Sequence, residues 1–70
     1  MLRKEYIICV FGKNIYKKSE NSVWSSDWFD CYPNENEIEK FINEIKENNI
    51  NVYYAKVEKR YVIPQEGEIL

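Results

Sequence analysis

Tyr6-Ile7-Ile8-Cys9-Val10-Phe11 is the stretch on which the fold turns. It is a continuous apolar run, rich in β-branched and aromatic residues, and of strand length. Because both alternating sets of side chains are apolar, it reads as a central strand that needs cover on both faces. Gly12-Lys13-Asn14 behind it is turn chemistry, and Ile15-Tyr16-Lys17-Lys18 reads as a short returning strand. The chain is therefore expected to open with an N-terminal β-hairpin.

Outward from that run, the next strong signal is a helix from about Glu35 to Asn48. Asn34 suits the N-cap, and Glu37 three residues on completes a capping-box pattern. Ile38, Phe41, Ile42 and Ile45 recur at i, i+3, i+4, i+7, which makes one apolar stripe. Glu35, Glu37 and Glu39 favour the positive end of the helix dipole, and Asn48 and Asn49 suit the left-handed conformation that ends a helix. Ile50 to Ile63 is the longest β-prone stretch. Strict alternation puts Tyr53, Ala55, Val57, Tyr61 and Ile63 on one side, but Lys59 falls among them. A bulge, or a tight reversal near Glu58-Lys59, would remove that conflict.

Between hairpin and helix lies Val23-Trp24-Ser25-Ser26-Asp27-Trp28-Phe29-Asp30-Cys31-Tyr32, with both tryptophans and both aspartates of the chain. Trp24, Trp28 and Tyr32 share a helix face at i, i+4, i+8 and equally share one side of a strand. Pro33 biases Tyr32 away from helix, so residues 27–32 are read as extended, with a turn at Ser25-Ser26-Asp27. The sum is an α+β fold: a small antiparallel sheet of three to five strands with one amphipathic helix packed on one face. Residues 1–63 form the single domain and residues 64–70, from Pro64 on, a flexible tail.

Seventy residues with a formal net charge of −2 support one small core. Arg3, Lys4, Lys13, Lys17 and Lys18 face only Glu5 in residues 1–19, whereas residues 20–49 carry eight acids against Lys40 and Lys46. Arg3 and Lys4 precede too short an apolar run for a signal peptide or a membrane span, and the two cysteines make no disulfide framework. A cytoplasmic protein with reduced thiols is expected. The richness in Lys, Asn, Ile and Glu suggests an AT-rich genome, such as that of a low-GC bacterium or its phages.

The residues argue against an enzyme. There is no histidine to activate Cys31 beside Asp30, and two cysteines without histidine do not make a zinc site. Asp27, Asp30, Glu35 and Glu37 lack calcium-loop spacing, and Gly12 and Gly67 make no phosphate loop. No cofactor is expected.

The leading functional reading is a non-enzymatic protein-binding module. Trp24, Trp28 and Tyr32 supply the apolar anchor, and Asp27, Asp30, Glu44 and Glu47 supply charge steering. A small acidic inhibitor or regulator of phage or mobile-element origin, acting on a nucleic-acid-handling protein, fits that description. One alternative is a nucleic-acid binder that uses Tyr53, Tyr54, Lys56, Lys59, Arg60 and Tyr61 as a stacking strand. Another is a homo-oligomeric structural protein with no other partner, such as a homodimer, in which the uncovered strand face or the tryptophans form the contact.

Overall fold

The computed structural model describes residues 2–16 and 21–63. The elements are β1 (Arg3–Asn14), β2 (Ser22–Ser25), α1 (Glu35–Lys46) and β3 (Ile50–Val62). They form a three-stranded antiparallel sheet in the order β2-β1-β3, with α1 across one face. The fold is thus a small α+β arrangement with the apolar run at its centre. No helix among the described residues is long and apolar enough to cross a membrane.

The hairpin is wider than the sequence suggests. β1 runs through Gly12-Lys13-Asn14, and the strand that returns beside it is Ser22–Ser25, with Phe11 opposite Val23 and Val10 opposite Trp24. The expected return over Ile15–Lys18 is corrected: Ile15 and Tyr16 form a turn, held by the Asn14 side chain accepting from the Tyr16 N–H at 2.9 Å. Lys17 and Lys18 lie outside the described residues, as does the tail expected over residues 64–70. Gly12 serves close packing instead of a turn. A methyl group there would strike the Asn51 carbonyl oxygen and lie 3.1 Å from the Val52 Cα. Glycine inside a strand commonly marks such an approach of backbone to backbone.

That approach occurs at a bulge. Phe11 pairs with Tyr54 and Gly12 with Val52, so Tyr53 is the extra residue. Otherwise β3 is one continuous strand paired from Val62 to Ile50 along the length of β1, with no reversal near Glu58-Lys59. The Lys59 conflict has another resolution. Twelve helical residues span about 18 Å, whereas thirteen strand residues span about 43 Å. The helix therefore ends before Lys59, which stands on the helix side of the sheet but past its cover.

Directly opposed residues share a face, which sorts the sheet into two sides. Val10 with Ala55 and Trp24, and Ile8 with Val57, lie on the helix side. Ile8 and Val10 are fully buried there, and Ile50 is buried where the helix hands over to β3. The helix itself lays down a half-buried stripe of Ile38, Phe41, Ile42 and Ile45. Its N-terminus is closed by the capping box: the Asn34 side chain accepts from the Glu37 N–H at 2.8 Å, and Glu37 accepts from the Asn34 N–H at 3.1 Å. Its far end turns through Asn49 at φ 62°, the left-handed conformation asparagine tolerates.

The other side carries Glu5, Ile7, Cys9 and Phe11 of β1 against Arg60, Glu58, Lys56 and Tyr54 of β3. No described helix covers it. The radius of gyration is 15.0 Å, above the roughly 11 Å of a compact domain of this length. That is the shape of a long ribbon with a short lid.

Candidate protein-interaction surface

The segment between β2 and α1 decides what the open face looks like. Ser26 continues the pairing of β2: its N–H donates to the Ile8 carbonyl at 2.9 Å, and its hydroxyl accepts from the Ile8 N–H at 2.9 Å. The same hydroxyl donates to the Asp27 carbonyl at 2.8 Å. Pairing resumes at Phe29, which exchanges both backbone hydrogen bonds with Tyr6 at 2.7 and 2.9 Å. Ile8 and Tyr6 are two residues apart on β1, whereas Ser26 and Phe29 are three apart. The extra residue inverts the alternation. Phe29 drops onto the helix side, and Trp28 swings to the opposite face.

There the Trp28 ring lies under the Arg60 guanidinium, 3.7 Å from ring centroid to Cζ. Arg60 in turn donates from Nε and Nη2 to one Glu5 oxygen at 3.0 and 2.8 Å, while the Arg3 guanidinium stands 3.7 Å from the other. The Glu5 side chain is 13% exposed and Arg60 49%, so this cluster closes one end of the face. At the other end Phe11 and Tyr54 stack at 4.4 Å and 13°. Lys56 reaches over Phe11 at 5.5 Å and pairs with Glu58 at 2.7 Å. The hydrogen bond and charge of Glu58 hold the Lys56 ammonium above its ordinary pKa. Val23, Tyr54 and Trp28 remain exposed along the face, and Cys9 sits beneath it, free and buried.

The anchor read as Trp24, Trp28 and Tyr32 is therefore not one patch. Trp24 is half-buried on the helix side opposite Val10, and Trp28 is on the open side. Tyr32 meets Tyr6 edge-on at 5.4 Å, on the helix side of the sheet. Residues 27–32 hold a single bridge rather than a strand. Of the acids, Asp27 and Glu44 do come together. With Glu37 and Lys40 they rim an open cleft of about 520 Å³ between helix and sheet, which Phe29 and Phe41 also line. Asp30 is exposed beside it in sequence, and Glu47 is the helix C-cap on the outer helix surface.

The stacking strand is split likewise. Tyr54, Lys56 and Arg60 share the open face, and Tyr53 is the bulged residue. Lys59 and Tyr61 belong to the helix side past the helix, where Lys59 and Lys4 both approach the Tyr61 ring at 5.8 and 5.9 Å.

Phe11, Val23 and Glu5 enter the surface without having been singled out as binding residues. For Phe11 the signal was the second apolar set of the central run, which demands cover on both sides, whereas Val23 and Glu5 enter only through their cross-strand partners Phe11 and Arg60. Cys31 is exposed and free, and among the described residues no group of three or more His, Cys, Asp or Glu side chains is placed to hold a metal ion. No family model, curated protein or solved structure matches this chain.

Proposed function

We propose that this chain is a non-enzymatic protein-binding module, and that its recognition surface is the open sheet face. One observation carries this reading: Phe11, Val23 and Tyr54 at one end of that face, and Trp28 at the other, are large apolar side chains with no described helix over them. Apolar and aromatic side chains gathered on an uncovered face are the usual material of interface hot spots. Around them the charges are mostly satisfied within the chain, Arg60 by Glu5 and Lys56 by Glu58. A partner then meets pre-paired charges along β3 beside the apolar side chains of β1 and β2. The outer helix face, with Glu39, Glu44 and Glu47, supports the narrower reading of an acidic inhibitor that approaches a basic protein such as a nucleic-acid-handling enzyme.

A nucleic-acid reading draws on Tyr54, Lys56 and Arg60 sharing the face with Phe11 and Trp28. It is weaker because both cations are already matched by carboxylates. The test is affinity capture from a low-GC bacterial lysate with the wild type, Trp28→Ala, Tyr54→Ala and, on the outer helix, Asn43→Ala. Circular dichroism establishes that each variant is folded. The module reading expects a stoichiometric protein, resistant to nuclease and moderate salt, that is lost with Tyr54→Ala and Trp28→Ala and kept with Asn43→Ala. A partner held equally by all four baits refutes the surface. Recovery that vanishes on nuclease treatment moves the function to nucleic acid.

A further inference from the structure

A second surface lies at the edge of the sheet rather than on its face. The order β2-β1-β3 leaves one side of β3 without a described neighbour over Ile50–Val62. The direction of the backbone groups along it follows from β1. Tyr6 and Ile8 turn their N–H and C=O groups toward Phe29 and Ser26. Alternation then turns those of Glu5, Ile7 and Cys9 toward Arg60, Glu58 and Lys56. The intervening residues of β3, Ala55, Val57 and Lys59, therefore point their backbone donors and acceptors outward.

We propose that a second copy of this chain pairs with that edge, β3 against β3, antiparallel about a two-fold axis at Val57. The sequence of the strand is self-complementary in this register. Lys56 comes opposite Glu58 of the second copy and Glu58 opposite its Lys56. Tyr54 comes opposite Arg60, and Ala55 opposite Lys59. The outward-pointing residues meet one another, so Ala55 with Lys59 and Val57 with Val57 form hydrogen-bonded pairs, about six bonds in all. Lys56 and Glu58 fall in the intervening pairs, where opposed side chains lie closest.

The neighbouring registers do not share this property. An axis at Lys56 sets Lys56 against Lys56. An axis at Glu58 sets Glu58 against Glu58 and Lys56 against Arg60. The Lys56–Glu58 pair already formed within the chain at 2.7 Å becomes half of a four-charge cluster. The segment Tyr54–Arg60 is regular throughout, with the bulge beyond it at Tyr53 and no proline within the strand. Such an edge invites pairing, and its charges select the same edge of another copy over an arbitrary peptide. The pairing joins two sheets into one of six strands and places the two open faces side by side.

The experiment is sedimentation velocity across a concentration series on four proteins: wild type, Lys56→Glu, Glu58→Lys, and the double exchange K56E/E58K. Amide exchange is measured by NMR on the wild type. The proposal expects a wild-type dimer in which the amides of Ala55, Val57 and Lys59 gain protection as concentration rises. Each single variant weakens the dimer by about tenfold or more, since two attractive cross-strand pairs become repulsive. The double exchange restores it, and so does mixing the two single variants. A wild type that stays monomeric overturns the proposal. So does a dimer that the charge variants leave unchanged, or a monomer whose three edge amides are protected only when a foreign protein is added. The two readings are told apart by Trp28→Ala, which lies outside the paired strand and is read by capture, whereas the charge variants are read by self-association.

Discussion

Gly12→Ala isolates the contact that sets the register of β1 on β3. Gly12 carries no positive φ, so alanine meets no backbone penalty and any cost comes from space alone. The added methyl group would collide with the Asn51 carbonyl oxygen and crowd the Asn51 carbonyl carbon and the Val52 Cα, each at 3.1 Å. All three are backbone atoms, so no side chain can swing aside, and the bulge at Tyr53 must open. Overpacking of this kind costs about 1–3 kcal/mol. Replacing glycine also restricts the unfolded chain, which offsets about 0.4–1 kcal/mol. The net is a loss of about 1.5 kcal/mol, or a fall in Tm of roughly 6–12 °C for a domain this small. Thermal and urea unfolding followed by far-UV circular dichroism measure it, with Asn43→Ala on the outer helix face as a control expected to change little. An unchanged or higher Tm for Gly12→Ala would refute the close approach of β1 to Asn51.

The other expectations follow from burial and pairing. Ile8 is fully buried, so Ile8→Ala should cost about 2–5 kcal/mol, a large part of the roughly 3.5–10 kcal/mol available to seventy residues. A shift in urea midpoint worth less than about 1 kcal/mol would place it outside the core. Asn34→Ala should remove about 1 kcal/mol by opening the capping box, with little further loss on adding Glu37→Ala. Additive losses would argue against the reciprocal pair. Arg60→Ala should cost about 1 kcal/mol, because it strips a hydrogen-bonded partner from the mostly buried Glu5 side chain. It should also uncover Trp28 to acrylamide quenching, and unchanged quenching would mean the guanidinium does not cover the ring. Lys56 gives the pH dependence. Its pKa is raised above 10.5 by the hydrogen bond and charge of Glu58, so the contribution of the pair is fully present below that value and lost as pH rises through the higher folded value. The gap in unfolding midpoint between wild type and Lys56→Met should therefore stay constant across neutral pH and close in alkali. A gap that closes on acidification above the carboxylate range would contradict this sign.

Much of the candidate surface was half legible. The second apolar set of the Tyr6–Phe11 run announced a face in need of cover, and that face is the open one. Lys56, Glu58 and Arg60 do lie on the side opposite Ala55 and Val57, as their alternation requires, because residues in strict alternation share a face whatever the partner. The grouping of Trp24, Trp28 and Tyr32 failed for a reason of the same kind. Spacing alone put the three on one face, whereas at Ser26 the serine hydroxyl takes the place of a backbone partner and one additional residue slips in.

What the sequence determined by itself was local: the helix of Glu35–Lys46, closed by its own capping box and striped by its own spacing, and the strand character of the two β-prone runs. What only the tertiary structure decided was long-range. It selected Ser22–Ser25 as the partner of β1 and turned Ile15 and Tyr16 aside, put the bulge at Tyr53, and sent the two tryptophans to opposite faces. Caps and periodicities are settled between residues a turn apart. Register is settled between strands distant in sequence, where one inserted residue exchanges the faces and nothing within the strand's own composition records it.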